Sequence, residues 1–288
     1  MRPASLLRPT WRLLALVAMT ALIVGCSSTR TAYRFADWGI VWWVEDYVTL
    51  TSAQQTQLEQ DLDALREWHC SAELPRYTLW LETLKVDMAA GVPEADTIRY
   101  HQRQFFVFTD ALLQQAVPVT VNLLSTLSDE QVRELATNMA EQHRELEREM
   151  LAGSAEENAK ARAERTRERL ESWLGPMNKQ QRALVAEWSA DRGRQTEIWL
   201  NGRRNWQKAL LETLETRNQP GFAAQIENLM VNYEQARGEE YQAMSEESRA
   251  AMTVLIHDLL VAGGPEHRQH IIEKASELNG DFSALTCL

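Results

Sequence analysis

Apolar residues recur every three to four positions through most of this chain, and no run alternates in the manner of a strand, so the pattern predicts helices. Leu50-Thr51-Ser52-Ala53-Gln54 offers Thr51 as an N-cap and Gln54 three residues on, a capping box. Leu58, Leu62 and Leu65 then form a stripe towards His69 and Cys70. Ser71 is placed to cap a following helix with Leu74, Tyr77, Leu81, Leu84 and Met88 on its buried face, stopped by Gly91. Pro93 suits the first turn of the next helix. There Ile98, Phe105, Phe108 or its neighbour, Leu112 and Ala116 lead to Pro118, which is expected to break or kink it. Leu127-Ser128-Asp129-Glu130-Gln131 repeats the capping box ahead of Val132, Leu135, Met139, Leu146 and Met150, with a gap at Gln142. Past Gly153 the stripe thins to alanines and recovers at Leu170 and Trp173, among Glu and Arg at four-residue spacing that read as a solvated face. After Gly175-Pro176, Asn178 caps a helix expected to reach Arg217. Phe222 to Leu259 predict another long helix, and Pro265 opens the last. The prediction is all-α, an elongated bundle of long amphipathic helices.

One stretch is far richer in aromatic residues than the rest. Tyr33 to Val48 holds Trp38, Trp42, Trp43 and Tyr47, interrupted only by Arg34, Asp37, Glu45 and Asp46. A helix apolar nearly all round is normally buried among other helices. Trp38, Trp42, Trp43 and Tyr47 are therefore expected in the core, and the three tryptophans are not expected to anchor on a membrane surface.

The N-terminus sets the expected compartment. Arg2, Arg8 and Arg12 precede an apolar run from Leu13 to Val24 that is shorter than the roughly 20 residues a spanning helix needs. It ends in Leu22-Ile23-Val24-Gly25-Cys26, which resembles the bacterial lipoprotein signal, with an ordinary secretory signal as the alternative. The resemblance implies cleavage before Cys26 and a diacylglycerol on its thiol. Ser27 in place of aspartate implies export to the outer membrane. The organisation expected is a signal peptide over 1–25, a lipidated tether over 26–32 and a single helical domain over 33–288.

Charge and cysteine content narrow the picture further. Loss of residues 1–25 removes three arginines and no acid, so the net charge of -11 becomes -14. An acidic body disfavours both nucleic acid and anionic lipid headgroups as partners. Of the three cysteines, lipidation uses Cys26, which leaves Cys70 and Cys287 to form a disulfide in an oxidising compartment or to remain two buried thiols. Catalytic patterns are absent: no G-x-S-x-G, H-E-x-x-H, phosphate loop or dinucleotide fingerprint occurs. His267 and His270 are three apart and could share a metal, but read better as a polar helix face. No cofactor and no metal are expected.

Two resemblances bear on function. The Leu50–Gln54 and Leu127–Gln131 segments are similar to the LTxxQ motif of periplasmic helical proteins of the Spy and CpxP type. The lipoprotein signal, the ADWGIVWWVEDYVTLTSAQQ block and the SWLGPMNKQQRALVAEW block together resemble an uncharacterised family of proteobacterial lipoproteins, a resemblance that implies no activity. The expectation is a lipoprotein anchored in the outer membrane through Cys26, facing the periplasm, which binds other envelope proteins without catalysis. A passive structural lipoprotein is the alternative, and an enzyme acting on cell-wall glycan stands third.

Overall fold

The computed structural model describes residues 28–285, and helix is the only regular structure among them. The chain divides after Ala36 into two units. The first contains α1 (Ser28–Arg34). The second runs from Asp37 and holds most of α2 (Ala36–Glu45), α3 (Ser52–Trp68), α4 (Leu74–Ala90), α5 (Ala95–Ser125), α6 (Asp129–Met150) and α7 (Ala155–Leu174). It continues through α8 (Lys179–Asp191), α9 (Gln195–Leu214), α10 (Phe222–Val231), α11 (Tyr233–Arg237), α12 (Glu239–Ala262) and α13 (Pro265–Ser283).

The second unit is held by three apolar clusters. One gathers Leu81, Ile98, Leu174, Val185, Leu259 and Ile271 from α4, α5, α7, α8, α12 and α13. Another joins Val48, Leu127, Leu135, Leu210, Leu214, Phe222 and Ile226. The smallest packs Val41 of α2 onto Leu58 and Leu62 of α3. Helix α5 reaches all three, through Ile98 at its start and Val119, Val121, Leu123 and Leu124 near its end.

The predicted capping boxes are present, and they pair with one another. Thr51 and Gln54 cap α3, and Ser128 and Gln131 cap α6. The two glutamine amides meet: Gln54 Nε2 donates to Gln131 Oε1 at 3.1 Å, and Gln131 Nε2 donates to Gln54 Oε1 at 2.7 Å. Each also donates to the carbonyl two residues before the other's cap, Gln54 to Thr126 O at 3.0 Å and Gln131 to Thr49 O at 2.8 Å. Each Oε1 accepts its own cap's backbone N–H as well. Both amides thus have all their donors and lone pairs used, a local two-fold clasp. A related clasp joins the starts of α8 and α13. Asn178 and Gln181 form a capping box, Asn178 Nδ2 donates to Ala262 O at 2.9 Å, and His267 Nε2 reaches Pro176 O at 3.2 Å.

Several predicted boundaries are corrected. Ser71 caps no helix: its hydroxyl donates to Glu67 O at 2.8 Å, and the chain passes from α3 into α4 through a π-turn at His69–Glu73. Helix α5 continues through Pro118. Gln114 and Pro118 are both exposed, so the carbonyl that proline leaves without a donor can be hydrated. The single helix expected from Asn178 to Arg217 is two, divided at Gly193 with φ 46°. The helix expected from Phe222 to Leu259 is three, divided at Asn232 and at Gly238 with φ 100°.

Candidate functional site

Functional surface on an all-helical body is sought where apolar side chains stay uncovered. Ile98, Phe105, Leu112 and Val119 of α5 stand seven residues apart, so on an ideal helix they drift by only about 20° per step and form one seam. Ile98 is buried in the first cluster, and Val119 packs against the third. Between them Phe105 is 60% exposed and Leu112 37%. A stripe anchored in core at both ends is therefore bare in the middle. On helical phase its flanks are Gln104 and Gln115 on one side and Thr109 on the other, polar but uncharged. Leu79 and Val86 of α4, and Val254 and Val261 of α12, are further exposed apolar residues at seven-residue spacing.

The second such surface corrects the expectation for the tryptophans. Trp38, Trp42 and Trp43 are not core: they are 70%, 59% and 57% exposed. Tyr47 is half-buried at the margin of the second cluster, with its ring 5.2 Å from that of Trp43. Helix α2 presents Val41 and Val44 to the body instead. With about 100° per residue, Trp42 lies about 40° from Trp38 and Trp43 about 140°, while Val44 and Val41 lie at about 240° and 300°. The helix thus has two apolar faces, and the compact valines occupy the inner one. Asp37, near that inner face, meets Arg66 at 3.5 Å.

Two grooves remain. The larger, of about 410 Å³, lies between α6 and α9 and is lined by Met139, His143, Glu147, Arg204, Lys208 and Leu211 among others. The smaller, of about 260 Å³, is bordered by Phe106, Trp199, Tyr241, Met244 and Arg249. His143 at the first is buried. The Arg203 guanidinium donates to its Nδ1 at 3.2 Å, and its Nε2 faces Glu147 at 3.4 Å without a hydrogen bond. Burial holds its pKa below the usual 6.5; Glu147 opposes the shift, and Arg204 and Arg203 reinforce it. Its one lone pair is taken, so it is poorly placed to accept a proton from a substrate.

The other buried histidines are likewise structural. His101 accepts from Trp80 Nε1 at 3.0 Å through Nδ1 and turns Nε2 to Asp87 at 2.9 Å, tying α4 to α5. His267 accepts the Gly264 N–H through Nδ1 and spends Nε2 in the second clasp, so His267 and His270 do not form a metal pair. Among the described residues no group of three or more His, Cys, Asp or Glu could hold a metal ion. Nor is any described helix long and apolar enough to cross a membrane. Cys70 is buried and disulfide-bonded. Cys26 and Cys287 lie outside the described residues.

A family model described as a family of unknown function (DUF6279) matches residues 46–242, more than half of the chain. The chain belongs to this family. The matched segment contains the Gln54–Gln131 clasp, the bare seam on α5 and both grooves except for residues Met244 to Met252. It stops short of the α2 tryptophans on one side and of α13 on the other. No curated protein and no solved structure matches the chain.

Proposed function

We propose that this protein is an outer-membrane lipoprotein, anchored through Cys26 and facing the periplasm, that binds other envelope proteins on uncovered helical surface without turnover. The observation that carries the reading is the seam on α5, whose ends are packed in core while Phe105 and Leu112 between them are bare. An exposed apolar stripe with uncharged polar flanks suits weak capture of apolar segments or of an amphipathic helix. The Leu22-Ile23-Val24-Gly25-Cys26 signal supports the anchor, which would hold the body among newly exported chains and raise its effective concentration there. The occupation of both ring nitrogens of His101 and His267, and of Nδ1 of His143, in structural contacts supports a role without acid–base chemistry.

The test uses the domain from Ser27 onward with unfolded periplasmic clients. A stoichiometric amount suppresses their aggregation, and Phe105→Ser with Leu112→Ser weakens the suppression while leaving the melting temperature within a few degrees. A photocrosslinker placed at residue 112 in cells captures envelope proteins. Failure with several clients, together with no crosslinked partner, rejects the reading in favour of a passive structural lipoprotein.

A further inference from the structure

The outward face of α2 calls for an occupant, because three indoles more than half exposed on a single ten-residue helix are costly to leave in water. We propose that Trp38 and Trp42, with Trp43 at their margin, lie in the headgroup region of the phospholipid leaflet that holds the lipid anchor. The inference rests on the Cys26 anchor of the preceding section and adds to it a second, protein-borne contact with the same bilayer.

Three observations select a lipid surface. The chain from Cys26 to Trp38 spans twelve residues and cannot exceed about 43 Å even fully extended, so an acylated Cys26 keeps this face near the membrane. Indoles combine an apolar body with an N–H donor and collect at membrane–water boundaries. The polar groups of α2 are also ordered along the helix. Asp37 near its start is turned to the body and paired with Arg66, while exposed Glu45 and Asp46 stand at its C-terminal end, three and four residues past Trp42. The acidic end favours water and the N-terminal end favours lipid, so Trp38 sits deeper than Trp43. Opposite, Val41 and Val44 are fixed in the core. The body is therefore held at the bilayer in one orientation rather than swinging on its tether. A single acyl anchor restrains only distance; a helix face packed on the body restrains rotation too.

The experiment uses the complete acylated protein in vesicles of phosphatidylethanolamine and phosphatidylglycerol that carry brominated acyl chains. Brominated lipid is expected to quench part of the tryptophan emission, and Trp38→Ala with Trp42→Ala to remove most of the quenched part without moving the melting temperature. Trp43→Ala removes less. The full mature chain with Cys26→Ser is expected to bind the same vesicles weakly, and roughly tenfold more weakly once Trp38 and Trp42 are replaced. Equal quenching in wild type and the double variant, or none, overturns the proposal. So does a protein crosslinked through residue 42 in cells when vesicles give no quenching, which assigns the face to a protein partner. The anchor is read separately: an intact mass without acyl chains, or wild-type protein that fails to float with the vesicles, rejects the anchor whatever the tryptophans do.

Discussion

Leu214 and Leu259 have no exposed surface at all, whereas Trp42 is 59% exposed. Side-chain size therefore does not rank the cost of truncation here; position does. Leu259→Ala is expected to cost about 2–5 kcal/mol, as deletions in close-packed interiors do, while Trp42→Ala changes stability by no more than about 0.5 kcal/mol. Chemical denaturation of the two variants checks the contrast. The misplacement of the indoles has a definite origin. Val41 and Val44 form one stripe on α2 and Trp38 and Trp42 another, and hydrophobic periodicity cannot choose between two apolar stripes on one helix. At the same scale, two histidines set a pH dependence. His69 is pushed below its usual 6.5 by burial, which outweighs the attraction of Glu73, and burial also lowers His143. Both are neutral in the fold and gain a proton more readily when unfolded. Their contribution is complete above 6.5 and is lost as pH falls through the lowered folded values. The melting temperature is expected to drop as the pH falls below about 6.5. His143→Gln, which can still accept from Arg203, should flatten part of that slope and leave the share of His69.

Among the elements, those that begin with a capping box were legible and those that begin with a break were not. Thr51, Ser128 and Asn178 each announce a helix through a side chain that bonds its own backbone, a signal contained within four residues. Ser154-Ala155-Glu156-Glu157 carries the same signal and caps α7, yet it is masked by the alanine-rich stripe that runs across it. The divisions at Gly193, Asn232 and Gly238 interrupt stripes that remain in phase on either side, so the pattern reads straight through them. The π-turn at His69–Glu73 leaves no mark in residue types. For the candidate site, Ile98, Phe105 and Leu112 were visible as a stripe, but Val119 lies past the break expected at Pro118, and the bare centre of the seam depends on where the other helices stop. The clasp gives the prediction at this scale. Gln54→Ala or Gln131→Ala alone strands the other amide and is expected to cost about 1–3 kcal/mol. The double substitution should cost less than the sum, with a coupling of about 0.5–3 kcal/mol in a double-mutant cycle measured by urea denaturation.

Within the second unit the end of α13 is drawn to the junction of α3 and α4. The ring of Phe282 near the end of α13 lies 6.2 Å from Tyr77, and Tyr77 lies 5.3 Å from His69, the neighbour of Cys70. Cys287 follows Phe282 by five residues, which supports it as the partner of Cys70. Peptide mapping without reductant is expected to recover a fragment joining 70 to 287. Opening so long a loop is expected to lower stability by about 5 kcal/mol on the chain-entropy estimate. Recovery of Cys70 bonded to Cys26 would overturn both this pairing and the lipid anchor, since one sulfur cannot serve both. The Gln54–Gln131 clasp has a consequence for the order of assembly. A chain made from its N-terminus presents the start of α3 long before that of α6, and Gln54 Nε2 then has only water to bond. The first turn of α3 has its own cap, but it stays undocked until residue 131 has emerged and folded back. The early helices therefore wait for the middle of the chain, and a stall or cut before residue 131 leaves a fragment whose leading helix lacks its closing partner.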